Sequence, residues 1–408
     1  AAGTRQCSIM ADSRIGVWLV GARGGVASTA ILGLEALKRG LSSPVGLVSE
    51  LPQFQGLDLS PWDDLVIGGH EIRSVRLFDE ALRMAGESRI ALASVVEQCR
   101  ADLEQIDQRI QAGTIVGTNE TIAELAGDWV PRNEKACEAI ARLQRDMSNF
   151  AEREGLAHVV VVNVASTEPA VNTPGLPKTW AELETLLAGS PCSPLPASSL
   201  YAIAALQAGF SHINFTPSLG SMPAAIDELA RLRKTRHYGR DGKTGETLMK
   251  SVLAPMFARR NLAVSSWVGH NIFGNMDGRV LDNPENKQNK VASKDTLVRE
   301  ILGYRPNTVV SIEYVPDLGD WKTAWDHIHF TGFLGVPMTL QFLWQGCDSF
   351  LAAPLVLDLV RFTALAWRRG HVGEMPFLAS FFKSPQSQRE HCFDKQYAML
   401  ERWAVPSH

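Results

Sequence analysis

The chain has 408 residues, of which 45% are hydrophobic and 21% are charged, as in an ordinary globular protein of about two domains. Its net charge of −4 argues against nucleic acid as a partner, so local basic clusters indicate a small anion such as a phosphate. No apolar run approaches the roughly 20 residues that span a bilayer, and residues 1–9 lack the apolar stretch of a signal peptide, so no membrane association is expected. Six cysteines without a CxxC pair favour a reduced, cytoplasmic setting without disulfides or a structural zinc.

The amino-terminal region has the pattern that opens a dinucleotide-binding fold. An apolar strand is predicted over 14–20, and a helix over 26–39 that ends at Gly40. The turn between them lets the backbone approach a pyrophosphate at the helix N-terminus, through Gly21, Gly24, Gly25, Val26 and Ala27. Arg23 stands where the second glycine of GxGxxG is expected, so a tight turn without a nucleotide remains the alternative.

Two further strands are predicted over 45–48 and 64–67. Two acids compete for the role of ribose ligand. Glu50 follows Gly21 by 29 residues, later than the usual spacing of about 20, and Glu71 follows a glycine pair. Arg23 leaves NADP open beside NAD.

The middle of the chain alternates helical and strand patterns. Residues 88–153 are predicted to be mostly helical with a break at Pro131, and 158–164 is a β-branched run typical of a buried parallel strand. That strand ends in Ala165, Ser166 and Thr167, at the edge where doubly wound sheets bind ligands. A loop over 174–196, a helix over 199–208 and a strand over 212–215 ending in Thr216 follow.

After residue 240 the character changes to Gly-rich turns, with strands predicted over 263–268 and 308–314 and an apolar helix over 350–366. We therefore predict an α/β protein whose doubly wound parallel sheet is split by an inserted α+β domain. The expected boundaries are 10–247 and 348–408 for the discontinuous dinucleotide domain and 248–347 for the insertion.

Two turns are candidate ligand sites. Residues 241–247 (DGKTGET) precede a helix predicted over 248–257, a pattern that fits a phosphate seat and an ordinary helix cap equally well. Residues 271–278 (NIFGNMDG) end a strand, and Asp277 there could bind a metal, a cofactor amide or its own backbone. The histidines at 70, 270, 327 and 329 have no metal-ligand spacing, which favours structural roles.

Lysines are few, twelve against 28 arginines, and four of them lie in Gly/Asn/Asp-rich or apolar turns: Lys290, Lys294, Lys322 and Lys383. A lysine ammonium, unlike an arginine guanidinium, can exchange a proton and stabilise an enolate or alkoxide oxygen. A solvated basic patch is the alternative for any one of them.

Eight segments, in order along essentially the whole chain, resemble the myo-inositol-1-phosphate synthase family, also called inositol-3-phosphate synthase. They are NVASTEP (163–169), INFTPS (213–218), DGKTGETLMKSVLAP (241–255), GNMDG (274–278), NKVASK (289–294), GDWK (319–322), CDSFLAAPLVLDL (347–359) and FFKSP (381–385). The resemblance implies a Rossmann domain with an inserted catalytic and oligomerisation domain that builds a homotetramer. It also implies a cytoplasmic isomerase that uses NAD to cyclise glucose 6-phosphate, in the biosynthesis of inositol and its phospholipids.

The resemblance also implies site residues. It places Lys290, Lys294, Lys322 and Lys383 on the family's active-site lysines, and Thr244, Gly245, Glu246 and Thr247 on its phosphate-binding turn. The cofactor set that it implies adds Ala165, Ser166, Thr167, Asp241, Asn275, Asp277, Asp320 and Asp348 to the five residues of the first turn. The positions of Glu71 and Thr216 at predicted strand ends add these two residues to the same set. The resemblance leaves open whether a divalent metal or a monovalent cation assists the enolate.

The chain departs from the family pattern at three places. Residues 24–27 replace a GGNNG-type turn, which removes two side-chain amides, with Arg23 as a substitute. Met276 replaces an Asn, and Glu246 stands where many relatives carry Gln. A relative that cyclises another sugar phosphate, a catalytically silent NAD-binding assembly protein and a simple dehydrogenase are therefore the alternatives.

Overall fold

The structure is a computed structural model that describes residues 14–88, 92–190, 192–274 and 297–405. The predictions made for Asn275, Asp277, Lys290 and Lys294 therefore lie outside the described residues.

A seven-stranded sheet, parallel throughout, forms the larger part of the molecule, with the strand order β11-β6-β5-β4-β1-β2-β3. Its strands are β1 (Ile15–Val20), β2 (Leu65–Glu71), β3 (Ile110–Ala112), β4 (His158–Asn163), β5 (Ser211–Asn214), β6 (Arg236–Gly239) and β11 (Gly373–Glu374). Read from β3 to β6, this is the 3-2-1-4-5-6 order of dinucleotide-binding folds. The predicted doubly wound α/β sheet is confirmed.

Helices cover both faces of this sheet, so alternate residues of each central strand enter two separate cores. On β1, Val17 and Leu19 belong to one core, and Trp18 and Val20 belong to the other. The helices are α1 (Gly25–Lys38), α2 (Leu77–Glu87), α3 (Ala93–Gln98), α4 (Arg100–Asp107), α5 (Glu120–Ala123), α6 (Ala136–Glu154), α7 (Trp180–Gly189), α8 (Ala197–Gln207), α9 (Ala224–Leu232), α10 (Gly245–Arg259), α11 (Asp348–Arg368) and α12 (Phe393–Ala404). Residues 297–302 are also helical.

A second sheet of four strands has the order β10-β9-β7-β8, with β7 and β8 parallel and β9 antiparallel to both of its neighbours. Its strands are β7 (Ala263–Phe273), β8 (Asn307–Tyr314), β9 (Trp321–Thr331) and β10 (Pro337–Cys347). A small apolar core that includes Phe257 of α10 and Trp267 of β7 packs beneath it. The chain enters this sheet through α10 and leaves it through α11, while the proposed boundaries at 247 and 348 stay a prediction.

The helix α11 returns the chain to the first sheet and contacts α1 and β4. Within the described ranges it is the helix long and apolar enough to cross a membrane by composition, but 78% of its most apolar stretch is buried inside the protein. That burial is typical of a core helix in a globular fold.

Two local predictions were wrong. Residues 45–48 form no strand; a short 3₁₀ helix, Val48–Glu50, stands there instead, and Asp358 of α11 accepts hydrogen bonds from the amides of Val48 and Ser49. The predicted loop over 174–196 contains α7, whose Leu183 and Leu187 are buried in one of the two cores. Pattern reading also missed β3, β6 and β11, which have only two to four residues each.

Candidate functional site

A cavity of about 220 Å³ opens at the carboxyl ends of the strands where the order reverses between β1 and β4. Open α/β sheets bind their ligands at this switch point. Fifteen predicted site residues line the cavity: Gly21, Gly24, Gly25, Val26, Glu71, Ala165, Ser166, Thr167, Thr216, Asp241, Thr244, Asp320, Lys322, Asp348 and Lys383. Of the remaining predicted residues within the described ranges, Ala27, Gly245, Glu246 and Thr247 lie outside its lining.

The glycine turn after β1 forms one wall of the cavity and begins α1. Gly21 has a φ of 81°, and a Cβ on it would lie 2.8 Å from the Cα of Ala165, so a side chain there is excluded by both conformation and space. The amides of Gly21 and Ala22 donate to the carbonyl of His70, which ties the turn to the end of β2. The free amides at the start of α1 are therefore placed as a dinucleotide pyrophosphate requires.

Glu71, the last residue of β2, stands at the position where dinucleotide folds carry the ribose-binding acid. Its Oε2 accepts from the amide of Arg23 at 2.9 Å, and its Oε1 accepts from the amides of Ile72 and Arg73 at 2.8 and 3.0 Å. The competing candidate Glu50 is paired with Arg361 on α11 and does not line the cavity. Geometry therefore favours Glu71 over Glu50.

The guanidinium of Arg23 is occupied away from the turn. Its Nε lies 2.7 Å from Oδ1 of Asp107, and its Cζ lies 5.1 Å from the centroid of the Trp129 ring. Arg23 is buried and does not line the cavity. It therefore does not substitute for the two amides that the turn lacks.

The loop after β4 carries a buried carboxyl that sequence reasoning did not single out. Glu168 lines the cavity, and its Oε1 accepts from the amide of Ser198 at the start of α8 at 3.0 Å. Burial raises the pKa of Glu168 to about 7. Tyr201 lines the same wall and accepts from the amide of Thr114 at 3.0 Å. Glu168 lies in the loop after β4 and Tyr201 lies in the second turn of α8, and their sequence positions point to the cavity only once the strand order is known.

Lys383 and Asp241 form a buried ion pair in the cavity wall, with Nζ 3.0 Å from Oδ1. Two short segments hold the pair together: the amide of Lys383 donates to the carbonyl of Asp241 at 2.6 Å, and Lys243 donates from its amide to Phe381 at 2.8 Å. The segments 241–243 and 381–383 thus lie side by side although some 140 residues separate them.

A second lysine and two aspartates come from the start of β9 and the start of α11. The Nζ of Lys322 lies 3.9 Å from Oδ2 of Asp348 and 5.0 Å from the ring centroid of Phe273. Asp320 is fully buried and accepts from the amide and hydroxyl of Ser349 at 2.8 and 2.7 Å. Burial, followed by the charge of Asp348, raises the pKa of Asp320. The site therefore combines lysine ammonium groups with a buried carboxyl whose pKa is raised.

The predicted phosphate turn begins α10, with Thr244 as the residue before the first helical turn. The Thr244 hydroxyl donates to Oδ1 of Asp348 at 3.4 Å, which joins this turn to the lysine cluster. Gly245 has a φ of 53° and faces Trp344 of β10, a combination that only glycine accommodates without strain. The side chain of Glu246 turns into the interior, where its Oε1 lies 2.6 Å from Nζ of Lys250.

Lys243 lies behind the cavity wall rather than in it. Its buried ammonium donates to Gln396 of α12, and desolvation lowers the pKa of Lys243 to about 7. The sequence did not distinguish Lys243 as a buried lysine from the other residues of its turn, because residue spacing carries no information about burial.

His70 and His270 have partners that suit structural roles. The ring of His70 accepts from Trp18 Nε1 at 2.8 Å, and that of His270 stacks on Trp325 at 5.7 Å and bonds Ser311. In the part of the chain that the structure describes, no group of three or more His, Cys, Asp or Glu side chains is arranged to hold a metal.

A family model described as Myo-inositol-1-phosphate synthase matches residues 15–404. An inositol-3-phosphate synthase 1 of Bacteroides thetaiotaomicron is 31% identical over 416 residues, spanning 97% of this chain and 94% of its own length. An inositol-3-phosphate synthase 1 of Bos taurus is 32% identical over 356 residues, spanning 84% of this chain and 60% of its own length.

A crystal structure of inositol-3-phosphate synthase from Caenorhabditis elegans shares the fold, with a TM-score of 0.85 over 97% of this chain and 86% of that one, at 23% identity. The likeness in structure supports the architecture, and the match in sequence supports the family. Since the family model covers almost all described residues, the chain belongs to the myo-inositol-1-phosphate synthase family.

Proposed function

We propose that this protein converts D-glucose 6-phosphate into 1L-myo-inositol 1-phosphate, which is also 1D-myo-inositol 3-phosphate, with NAD as its cofactor. The observation that carries the proposal is the convergence of Lys322 and Lys383, from distant parts of the chain, on one cavity beside the dinucleotide turn. The relatives with 31% and 32% identity are named as inositol-3-phosphate synthases.

The residues at the switch point fit a dinucleotide. The turn at Gly21, Gly24 and Gly25 leaves room for a pyrophosphate at the start of α1, and Glu71 stands beside it where a ribose hydroxyl would bind. Ala165, Ser166, Thr167 and Thr216, from the ends of β4 and β5, complete the proposed cofactor wall. When bound, NAD takes up a hydride from carbon 5 of the sugar and later returns it, so no net NADH forms.

Between these two events the sugar must lose a proton from carbon 6, and that carbon must attack the aldehyde at carbon 1. The enolate oxygen and the new alkoxide are anions that form near a dianionic phosphate. Lys383, which is ion-paired with Asp241, can stabilise one of these oxygens, and Lys322 can donate a proton to the other. Asp320 and Asp348 hold the Lys322 end of the site in place.

Lys290 and Lys294 complete the proposed catalytic set through the family resemblance, and Asn275 and Asp277 complete the cofactor set in the same way. The phosphate of the sugar is proposed to bind the amides at 245–247 and the hydroxyl of Thr244, at the positive end of α10.

We also propose a cytoplasmic homotetramer. Cys99, Cys137, Cys192, Cys347 and Cys392 are unpaired, as expected in a reducing compartment. The second sheet and the turn between β9 and β10 expose large apolar side chains, with Leu343 on β10 at 67% and Phe333 and Leu334 in the turn at 88% and 84% of full exposure. An exposed apolar face of this kind marks an interaction site, and a second copy of the chain would cover it.

The decisive experiment is incubation of the purified protein with glucose 6-phosphate and NAD, followed by NMR of the product. An inositol monophosphate formed without net NADH supports the proposal. Accumulation of NADH would instead identify a simple dehydrogenase, and tight NAD binding without turnover of any sugar phosphate would identify a silent assembly protein. Turnover of other hexose phosphates alone would identify the relative with a different substrate.

A further inference from the structure

A buried ion pair lies directly behind the proposed phosphate turn. Glu246 is the second residue of α10, and its carboxylate lies 2.6 Å from the ammonium of Lys250, one helical turn later. Each residue is 2% exposed. The acidic side chain next to the turn therefore points into the protein, and Lys250 is the cation that holds it there.

The same ammonium is shared with the second sheet. Asp326 of β9 lies 3.7 Å from Nζ of Lys250 and accepts from Nε1 of Trp267 on β7 at 2.6 Å. One lysine thus faces two carboxylates, one on the helix that begins at the phosphate turn and one on the strand that carries Lys322.

Gly269 of β7 provides the space for this cluster. A Cβ at Gly269 would lie 2.6 Å from Oε1 of Glu246, 3.2 Å from Oδ2 of Asp326 and 3.3 Å from Nζ of Lys250. The strand therefore approaches the three charged groups so closely that it tolerates no side chain facing them.

We propose that Lys250 is a positioning residue for phosphate binding: it sequesters the Glu246 carboxylate, so that the turn presents its backbone amides and the Thr244 hydroxyl, but no carboxylate, to the anion. This inference rests on the proposed function, in which a sugar phosphate binds at 244–247. Without Lys250, the Glu246 carboxylate would turn toward the phosphate dianion and repel it, or it would stay buried without a cation. Both arrangements are unfavourable. A glutamine at position 246 would need no such cation, since an amide carries no charge.

The test compares Lys250→Met alone with two double variants, in NAD-loaded protein, by calorimetric titration with inorganic phosphate and with glucose 6-phosphate. We expect K250M to weaken both ligands roughly 10- to 100-fold. Adding Glu246→Gln to K250M should restore affinity to within about threefold of wild type. Adding Asp326→Asn to K250M should restore little, although it also removes one negative charge from the same buried cluster.

The D326N double variant is the matched control, because an asparagine can still accept the Trp267 hydrogen bond. If Lys250 only balanced buried charge, both double variants would recover phosphate affinity and melting temperature together. Equal recovery, or unchanged affinity in K250M, overturns the inference. Should K250M alone fail to fold, the two double variants compared with each other still decide it. If the wild-type protein bound no sugar phosphate, that result would instead contradict the proposed function.

Discussion

The two ends of the cavity are built in different ways. The dinucleotide end consists mainly of backbone from the ends of adjacent parallel strands, with Gly21 close against Ala165 and Glu71 held by three amides. The substrate end consists of paired charges, Lys383 with Asp241 and Lys322 with Asp348, contributed by segments far apart in the chain. One end is fixed by backbone conformation and close backbone packing and the other by pairs of charged side chains, so each should fail in its own way when altered.

The largest loss of activity is expected from changes at the substrate end. Lys383→Ala should reduce ring closure by at least about 100-fold while NAD binding persists, because an ammonium that stabilises an oxyanion is lost. Lys290→Ala is expected to behave alike, on the family resemblance. NMR of the product and a separate NAD titration measure the two properties. The control is Lys395→Ala on α12, whose side chain is largely exposed, and wild-type turnover in K383A would contradict the assignment.

At the dinucleotide end we expect a change to remove cofactor binding itself. Gly21→Val should abolish NAD binding, since a β-branched residue cannot adopt a φ of 81° and its Cβ would collide with Ala165. A fluorescence titration with NAD measures the loss, and circular dichroism checks that the protein folds. Gly33→Ala on α1, with no atom within 4 Å of the added Cβ, is the control and should stabilise the protein by about 0.5–1 kcal/mol. If G21V kept the NAD affinity of wild type, the proposed difference between the two ends of the cavity would be wrong.

A smaller effect is expected for cofactor choice. Glu71 at the end of β2 should repel a 2′-phosphate, and Arg23 is committed to Asp107, so the protein should prefer NAD to NADP. Glu71→Gln should lower the ratio of the NADP dissociation constant to the NAD dissociation constant by about tenfold, which corresponds to roughly 1.4 kcal/mol. Titration of both cofactors against both proteins gives the ratios. An unchanged ratio would mean that Glu71 only holds the turn through its hydrogen bonds to backbone amides and does not discriminate between the two cofactors.

The last effect concerns stability rather than the cavity. His212 on β5 is fully buried with no partner for either ring nitrogen, and desolvation lowers its pKa to about 3. Its unfolded pKa is about 6.5, so its contribution is complete above pH 6.5 and is lost as the pH falls toward 3. We expect the free energy of unfolding to fall by about 1 kcal/mol per pH unit over this window.

Urea denaturation between pH 4 and pH 8 measures that slope, and His212→Leu should flatten it. The exposed His270, changed to Gln, is the matched control and should leave the slope as in wild type. An unchanged slope in H212L would assign the acid sensitivity to other groups, such as the buried His158, whose pKa is also lowered by desolvation.

Sequence reasoning reached the long, strongly patterned parts of the fold. It predicted β1, α1, β4 and α11 within a few residues, because continuous apolar runs bounded by glycine leave little choice of structure. It missed β6 and β11, whose few residues become strands only through pairing in the sheet. It misread 45–48, where tertiary hydrogen bonds to Asp358 override a β-branched pattern.

For the site, sequence reasoning identified the residue types but not their partners. The lysine turns and the glycine turn were singled out, yet nothing in spacing indicates that Lys383 pairs with Asp241 or that Glu246 is held by Lys250. The guanidinium of Arg23 also points to Asp107 rather than toward a pyrophosphate. Such pairings depend on which segments the sheet brings together, and that is decided by strand order rather than by local composition.

The side-by-side arrangement of 241–243 with 381–383 has a consequence for biogenesis. A growing polypeptide can complete the β1–β4 half of the large sheet early, and with it the glycine turn, whereas Asp241 must wait for residues made 142 positions later. Translation intermediates that end between these two segments would therefore expose a carboxylate lacking its ammonium.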